Sequence, residues 1–156
     1  MKMTVSTLAL AVSSLLMLGA TTTRAVSQVN APAPTITAPE NVKWFPMIPQ
    51  MGDKGPAMAV VSGEPGVIGK PFAGLFRVPA GGVSPTHIHS SDYWAVMLSG
   101  TESARVAPDN EAKPIAPGGY WFQPGKAEHI NKCLSKEDCV FFVYYPNGMD
   151  YIPVEH

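Results

Sequence analysis

The sequence predicts an all-β domain whose antiparallel strands close into a barrel or a double sheet, and three observations predict it. Apolar runs are short and are separated by Pro- and Gly-rich turns at fairly regular spacing, as in sandwiches and barrels. No stretch beyond residue 25 keeps a helical apolar period over three turns. Proline is high at 16 residues and charge low at 15%, while hydrophobic residues reach 46%, a balance that excludes disorder and coiled coil. At 156 residues the chain has room for one domain with a real core and hardly for two.

Taken in order, the first 25 residues read as a secretory signal peptide. Lys2 gives a basic start, Leu8 to Ala20 is an uncharged and largely apolar run, and Thr23-Arg24-Ala25 places small residues before a cleavage point after Ala25. The run is short for a membrane span, so the expectation is cleavage without stable membrane insertion; an uncleaved anchor is the rival. Losing Lys2 and Arg24 would take the formal charge down by two, from -1 to -3. No Lys/Arg cluster follows, which argues against nucleic acid as a partner. The expected destination is the periplasm or the outside of the cell.

Residues 26–39 are rich in Ala, Pro and Thr and read as a flexible linker, with the folded domain spanning 40–156. Val42, Trp44 and Phe45 open it, and residues 47–56 read as an irregular loop. Strands are expected over residues 57–61, 72–78, 93–98, 102–106, 120–122, 128–134 and 140–145. Their punctuation is Ser62-Gly63-Glu64-Pro65-Gly66, Pro79-Ala80-Gly81-Gly82, Ser99-Gly100, Pro108-Asp109-Asn110, Pro117-Gly118-Gly119 and the Pro-Asn-Gly turn at 146–148. Trp94, Trp121, Phe122, Phe141 and Phe142 are expected mostly in the core.

Cys133 and Cys139 flank a polar turn between two apolar stretches. An even count in an exported chain favours a disulfide between them, across what reads as a hairpin. The competing reading leaves Cys133 reduced, four residues after His129 and on the same strand face, where its thiolate would approach a metal.

Chemistry concentrates in residues 82–100. His87 and His89 form an H-x-H pair, and residues i and i+2 of a strand share a face, so two imidazoles aim at one side of a sheet. His129 follows a second Pro-Gly turn about forty residues on. Three imidazoles with open positions suit one divalent metal ion: Fe, Mn, Zn, Ni or Cu.

At these residues the chain resembles the cupin superfamily. Gly81, His87, His89 and Gly100 fall on the spacing of its first motif, G-x5-H-x-H-x3-4-E-x6-G. Gly118, Pro124 and His129 fall on its second, G-x5-P-x-G-x2-H-x3-N. Asp92 and the Ser-Gly-Thr ending at Thr101 are similar to small single-domain cupins of the ChrR-like kind. The chain departs from the pattern at three places, where Tyr93 stands for the motif Glu, Lys126 for a Gly and Cys133 for the closing Asn. The resemblance implies a jelly-roll (double-stranded β-helix) barrel holding a metal on His87, His89 and His129, without the usual fourth ligand.

Tyr93 faces inward with the histidines. It is the candidate catalytic residue, a proton donor or hydrogen-bonding partner of a metal-bound group, with plain core packing as the alternative. Asp92 is expected outward, Glu128 on the surface, Glu102 inward only as a minor reading, and His156 exposed and inert. Three-histidine cupin sites lacking the Glu resemble those of thiol and diketone-cleaving dioxygenases. The resemblance therefore implies a metal-dependent, dioxygenase-like oxidoreductase acting on a small chelating molecule. The alternative is a non-catalytic metal- or ligand-binding, sensing cupin, and a third reading is an empty barrel. Pairing through barrel edges makes a homodimer a further candidate partner.

Overall fold

Alternation of apolar and polar residues is carried into the structure almost residue by residue. The computed structural model describes residues 32–106 and 113–155. The signal-peptide and cleavage-site expectations, Pro108-Asp109-Asn110 and His156 lie outside them. From Thr37 onward the chain forms one unit, and no helix among the described residues is long and apolar enough to cross a membrane.

Among the described residues eleven strands follow in chain order: β1 Phe45–Pro46, β2 Ala57–Ser62, β3 Phe72–Val78, β4 His87–Ile88, β5 Tyr93–Ser99 and β6 Glu102–Val106. They continue with β7 Pro114–Ile115, β8 Tyr120–Gln123, β9 His129–Cys133, β10 Cys139–Tyr145 and β11 Ile152–Pro153. Every pairing is antiparallel, giving one sheet in the order β1-β2-β3-β10-β5-β8 and a second in the order β11-β4-β9-β6-β7. Between β1 and β2 the expected irregular loop instead holds a short 3-10 stretch, Pro49–Lys54, with Pro49 in its first turn, where the fixed proline φ suits a helical start.

The inner faces of the two sheets make the core. On β5, Tyr93, Ala95 and Met97 are buried while Trp94 and Leu98 face out, and β8 buries Trp121 and Gln123 against exposed Tyr120 and Phe122. Phe72, Phe76, Phe141, Val143 and Tyr145 complete the interior from β3 and β10. Trp94 and Phe122 are thus corrections to the core expectation, at 43% and 48% exposed. Once Tyr93 faces in, strand parity turns Trp94 out, and Trp94 is in register with Phe122 across the ladder. Trp121 and Phe141 are buried as expected.

Cys133 and Cys139 are disulfide-bonded, with Cα atoms 5.6 Å apart. The bond does not close a hairpin: β9 and β10 belong to different sheets, so it ties the two sheets at a corner. No free cysteine remains among the described residues, and the reading of Cys133 as a thiolate near the metal is set aside.

Candidate metal centre

The three histidines are brought together by one ladder. β4 pairs with β9 so that His87 lies directly across from His129, and His89 follows two residues after His87. One ring nitrogen from each of the three lies within 4.8 Å of the others, a cluster able to hold a metal ion. All three are buried, at 3%, 4% and 1% exposed.

Each imidazole is held from behind by a backbone carbonyl. His87 Nδ1 is 2.9 Å from the Pro85 carbonyl oxygen and His129 Nδ1 is 3.1 Å from that of Ala127. His89 Nδ1 meets the carbonyl of Asp150. A carbonyl only accepts, so each Nδ1 carries the proton and each Nε2 keeps a lone pair. Burial sets the charge state: it pulls His87 down to about 4 and His129 to about 3, and lowers His89 as well. Neighbouring histidines add repulsion against protonation. At neutral pH these are three uncharged imidazoles, the form that binds metal.

The opposite sheet supplies two phenols. Tyr93 on β5 places its hydroxyl 3.4 Å from His129 Nε2, and Tyr145 on β10 places its own 3.5 Å from His89 Nε2. Trp121 Nε1 donates to the Tyr93 oxygen at 3.3 Å. Burial raises both phenols above their ordinary value, so Tyr93 stays protonated, which disfavours a phenolate ligand. Tyr151 stacks on His87, ring centroids 4.5 Å apart.

Loops around the cluster are fixed by polar contacts. Asp92 faces outward as expected, where its carboxylate accepts the Gly125 N–H at 2.7 Å. Gln123 donates to the carbonyls of Pro124 and Ala127, bracing the loop that holds His129. Ser90 donates to the Asp150 carboxylate through both backbone and side chain, which fixes the carbonyl behind His89. The Lys126 N–H donates to the His89 carbonyl at 2.7 Å, with Lys126 at a φ of 63°. That left-handed backbone is the reason the motif has Gly here. Lys126→Gly is therefore expected to stabilise the fold by about 1 kcal/mol, read from denaturant midpoints.

Glu128 is half-buried beside the cluster. Glu102, for which the sequence makes the inward position the minor reading, is fully buried. Burial pushes it up to about 7. Asn131 comes near enough to moderate the shift, yet neither Glu102 oxygen nor Asn131 Nδ2 completes a hydrogen bond. Sequence reasoning left out Tyr145, Tyr151 and Asp150, which lie more than fifty residues from the H-x-H pair in sequence. Only the inward parity of Tyr145 within β10 signalled one of them. A cavity of about 930 Å³ opens onto His87, His89, Tyr93, Asn131 and Tyr145.

No protein-family model matches the sequence, and no curated protein matches it. Solved structures do resemble the fold. The polyketide cyclase RemF from Streptomyces resistomycificus is 18% identical with a TM-score of 0.63, over 80% of this chain and 87% of that one. An RmlC-like cupin from Shewanella frigidimarina is 13% identical with a TM-score of 0.57, over 74% and 93%. KdgF from a Halomonas species is 18% identical with a TM-score of 0.56, over 72% and 95%. With two antiparallel sheets facing one another around a three-histidine cluster, and with these likenesses in structure, the chain has the cupin fold.

Proposed function

We propose that this protein is an exported metal-binding cupin that acts as a dioxygenase-like, metal-dependent oxidoreductase on a chelating small molecule. The observation that carries the proposal is the set of three buried, neutral imidazoles, each braced through Nδ1 by a carbonyl. His87, His89 and His129 would hold one divalent ion, Fe, Mn, Zn, Ni or Cu, and its bound form would supply Lewis-acid polarisation of a chelated substrate. Tyr93, protonated and reaching the cluster from the opposite sheet, would donate a proton to the reacting oxygen. The Trp121 N–H then supports the phenol oxygen as its proton leaves. Burial keeps bulk water from the imidazoles and strengthens each of these contacts. The disulfide fits an oxidising compartment, in keeping with cleavage after Ala25 and a periplasmic or secreted destination.

Metal content of the purified protein, measured beside a His87→Ala variant, tests this reading. About one equivalent in the first and none in the second is the expected result. Oxygen uptake with chelating substrates then separates turnover from plain binding or sensing. A wild-type protein that takes up none of the five metals would end the three-histidine proposal.

A homodimer is part of the same proposal. Trp94, Val96, Leu98, Tyr120 and Phe122 cover the outer face of β5 and of the edge strand β8 with no charge among them. Contiguous apolar faces of this kind mark association surfaces. Sedimentation is expected to show a dimer at micromolar concentration and a monomer for Trp94→Lys, the charge opposing burial of the patch.

A further inference from the structure

We infer that the ligand of this site is an amphiphile: a chelating oxygen head on a sizeable apolar body, rather than a small polar acid. The inference rests on the metal reading above and deepens it. A volume of about 930 Å³ lies near the top of the range for drug-sized ligands, far beyond what a chelating head needs. Polar groups gather where the cavity meets the three-histidine cluster. The remaining wall includes Met47, Ile48, Met51, Met58, Phe76 and Met149, drawn from the 3-10 stretch and the two residues before it, β2, β3 and the segment after β10. Methionine side chains adapt to the shape of an apolar partner.

The wall has three charged residues: Lys54 is exposed to solvent, and the other two already have partners. Arg77 stands 4.0 Å from Asp138 and lies over the Trp44 ring, and Asp150 takes the Ser90 hydrogen bonds. Neither asks for charge in the ligand body. At the polar end, Asn131 lines the cavity at 8% exposure, with the Glu102 carboxyl and the Tyr93 hydroxyl within its influence, so the head meets a small polar group of this chain's own side chains.

The test is calorimetric binding of alkyl hydroxamates, from acetohydroxamate to hexanohydroxamate, to the full protein loaded with zinc. Affinity is expected to rise by about fourfold per methylene, the ~0.8 kcal/mol of a buried CH2, reaching roughly 200-fold over the four methylenes of the series. Met58→Ser is expected to lower the gain per methylene. Acetohydroxamate binding as tightly as hexanohydroxamate would overturn the amphiphile and leave the metal site standing. A gain that Met58→Ser leaves untouched would overturn the placement of the apolar body. If zinc does not load, the series is run with whichever of the other four metals does, and failure to take up any of the five would remove the metal reading, and this inference with it.

Discussion

Metal-free protein is expected to lose stability steeply as pH falls from 6.5 to 4. His87 and His129 enter the fold uncharged, held at about 4 and about 3 by burial, against an ordinary value near 6.5. In that window the unfolded chain binds protons that the folded chain refuses, so stability rises with pH and is lost on acidification. The contribution is complete above 6.5. His87 alone gives up about 3 kcal/mol by pH 4, and His129 loses more as the pH drops towards 3. Thermal unfolding of the metal-free protein at pH 7, 6, 5 and 4 checks the sign, and a flat profile would show that the imidazoles are not buried neutral. Saturating metal should raise the midpoint at pH 7, the stabilisation being about 3–4 kcal/mol at a few hundred times its Kd.

Glu102→Gln is expected to stabilise the protein above pH 7 and to change little near pH 4.5. Glu102 is fully buried without a hydrogen bond, and burial holds its carboxyl at about 7, above the ordinary 4.5. A raised carboxyl favours folding below its unfolded pKa and loses that contribution as pH rises through its folded one. Above pH 7 the wild type carries a buried, unpaired carboxylate, a cost of about 3 kcal/mol that a neutral amide of the same shape avoids. The substitution also removes the one term that offsets the acid loss from the histidines, so its own profile should fall more steeply between pH 7 and 4.5. Urea midpoints at pH 4.5, 6 and 8 for both proteins decide it. Equal stability at pH 8 would place a compensating partner on Glu102.

Much of this was legible in residues 82–133. His87 and His89 share a face by strand parity alone, and the spacing to His129 matched a motif, so the cluster was visible before any fold was drawn. The alternation in β5, β8 and β10 was equally plain. Trp94 departs from the core expectation because its bulk suggests burial while the parity set by Tyr93 turns it outward. What escaped was placed by topology. Tyr145 meets His89 across 56 residues and Asp150 across 61, distances over which no periodicity speaks. The burial of Glu102 is hidden for a different reason: a carboxylate is seldom buried unpaired, and the sequence carries no mark of the exception.

The bond from His89 to the Asp150 carbonyl has a consequence for timing. β11 also pairs with β4, with Pro153 across from His87 and Ile152 across from Ile88. Two of the three imidazoles are therefore steadied by residues made more than sixty positions later. A chain emerging N-terminus first presents His87 and His89 long before the carbonyl that orients His89 exists. On the proposed export route it would cross as an unfolded thread and arrive with its cluster unassembled, so an ion bound there would come from the supply on the far side.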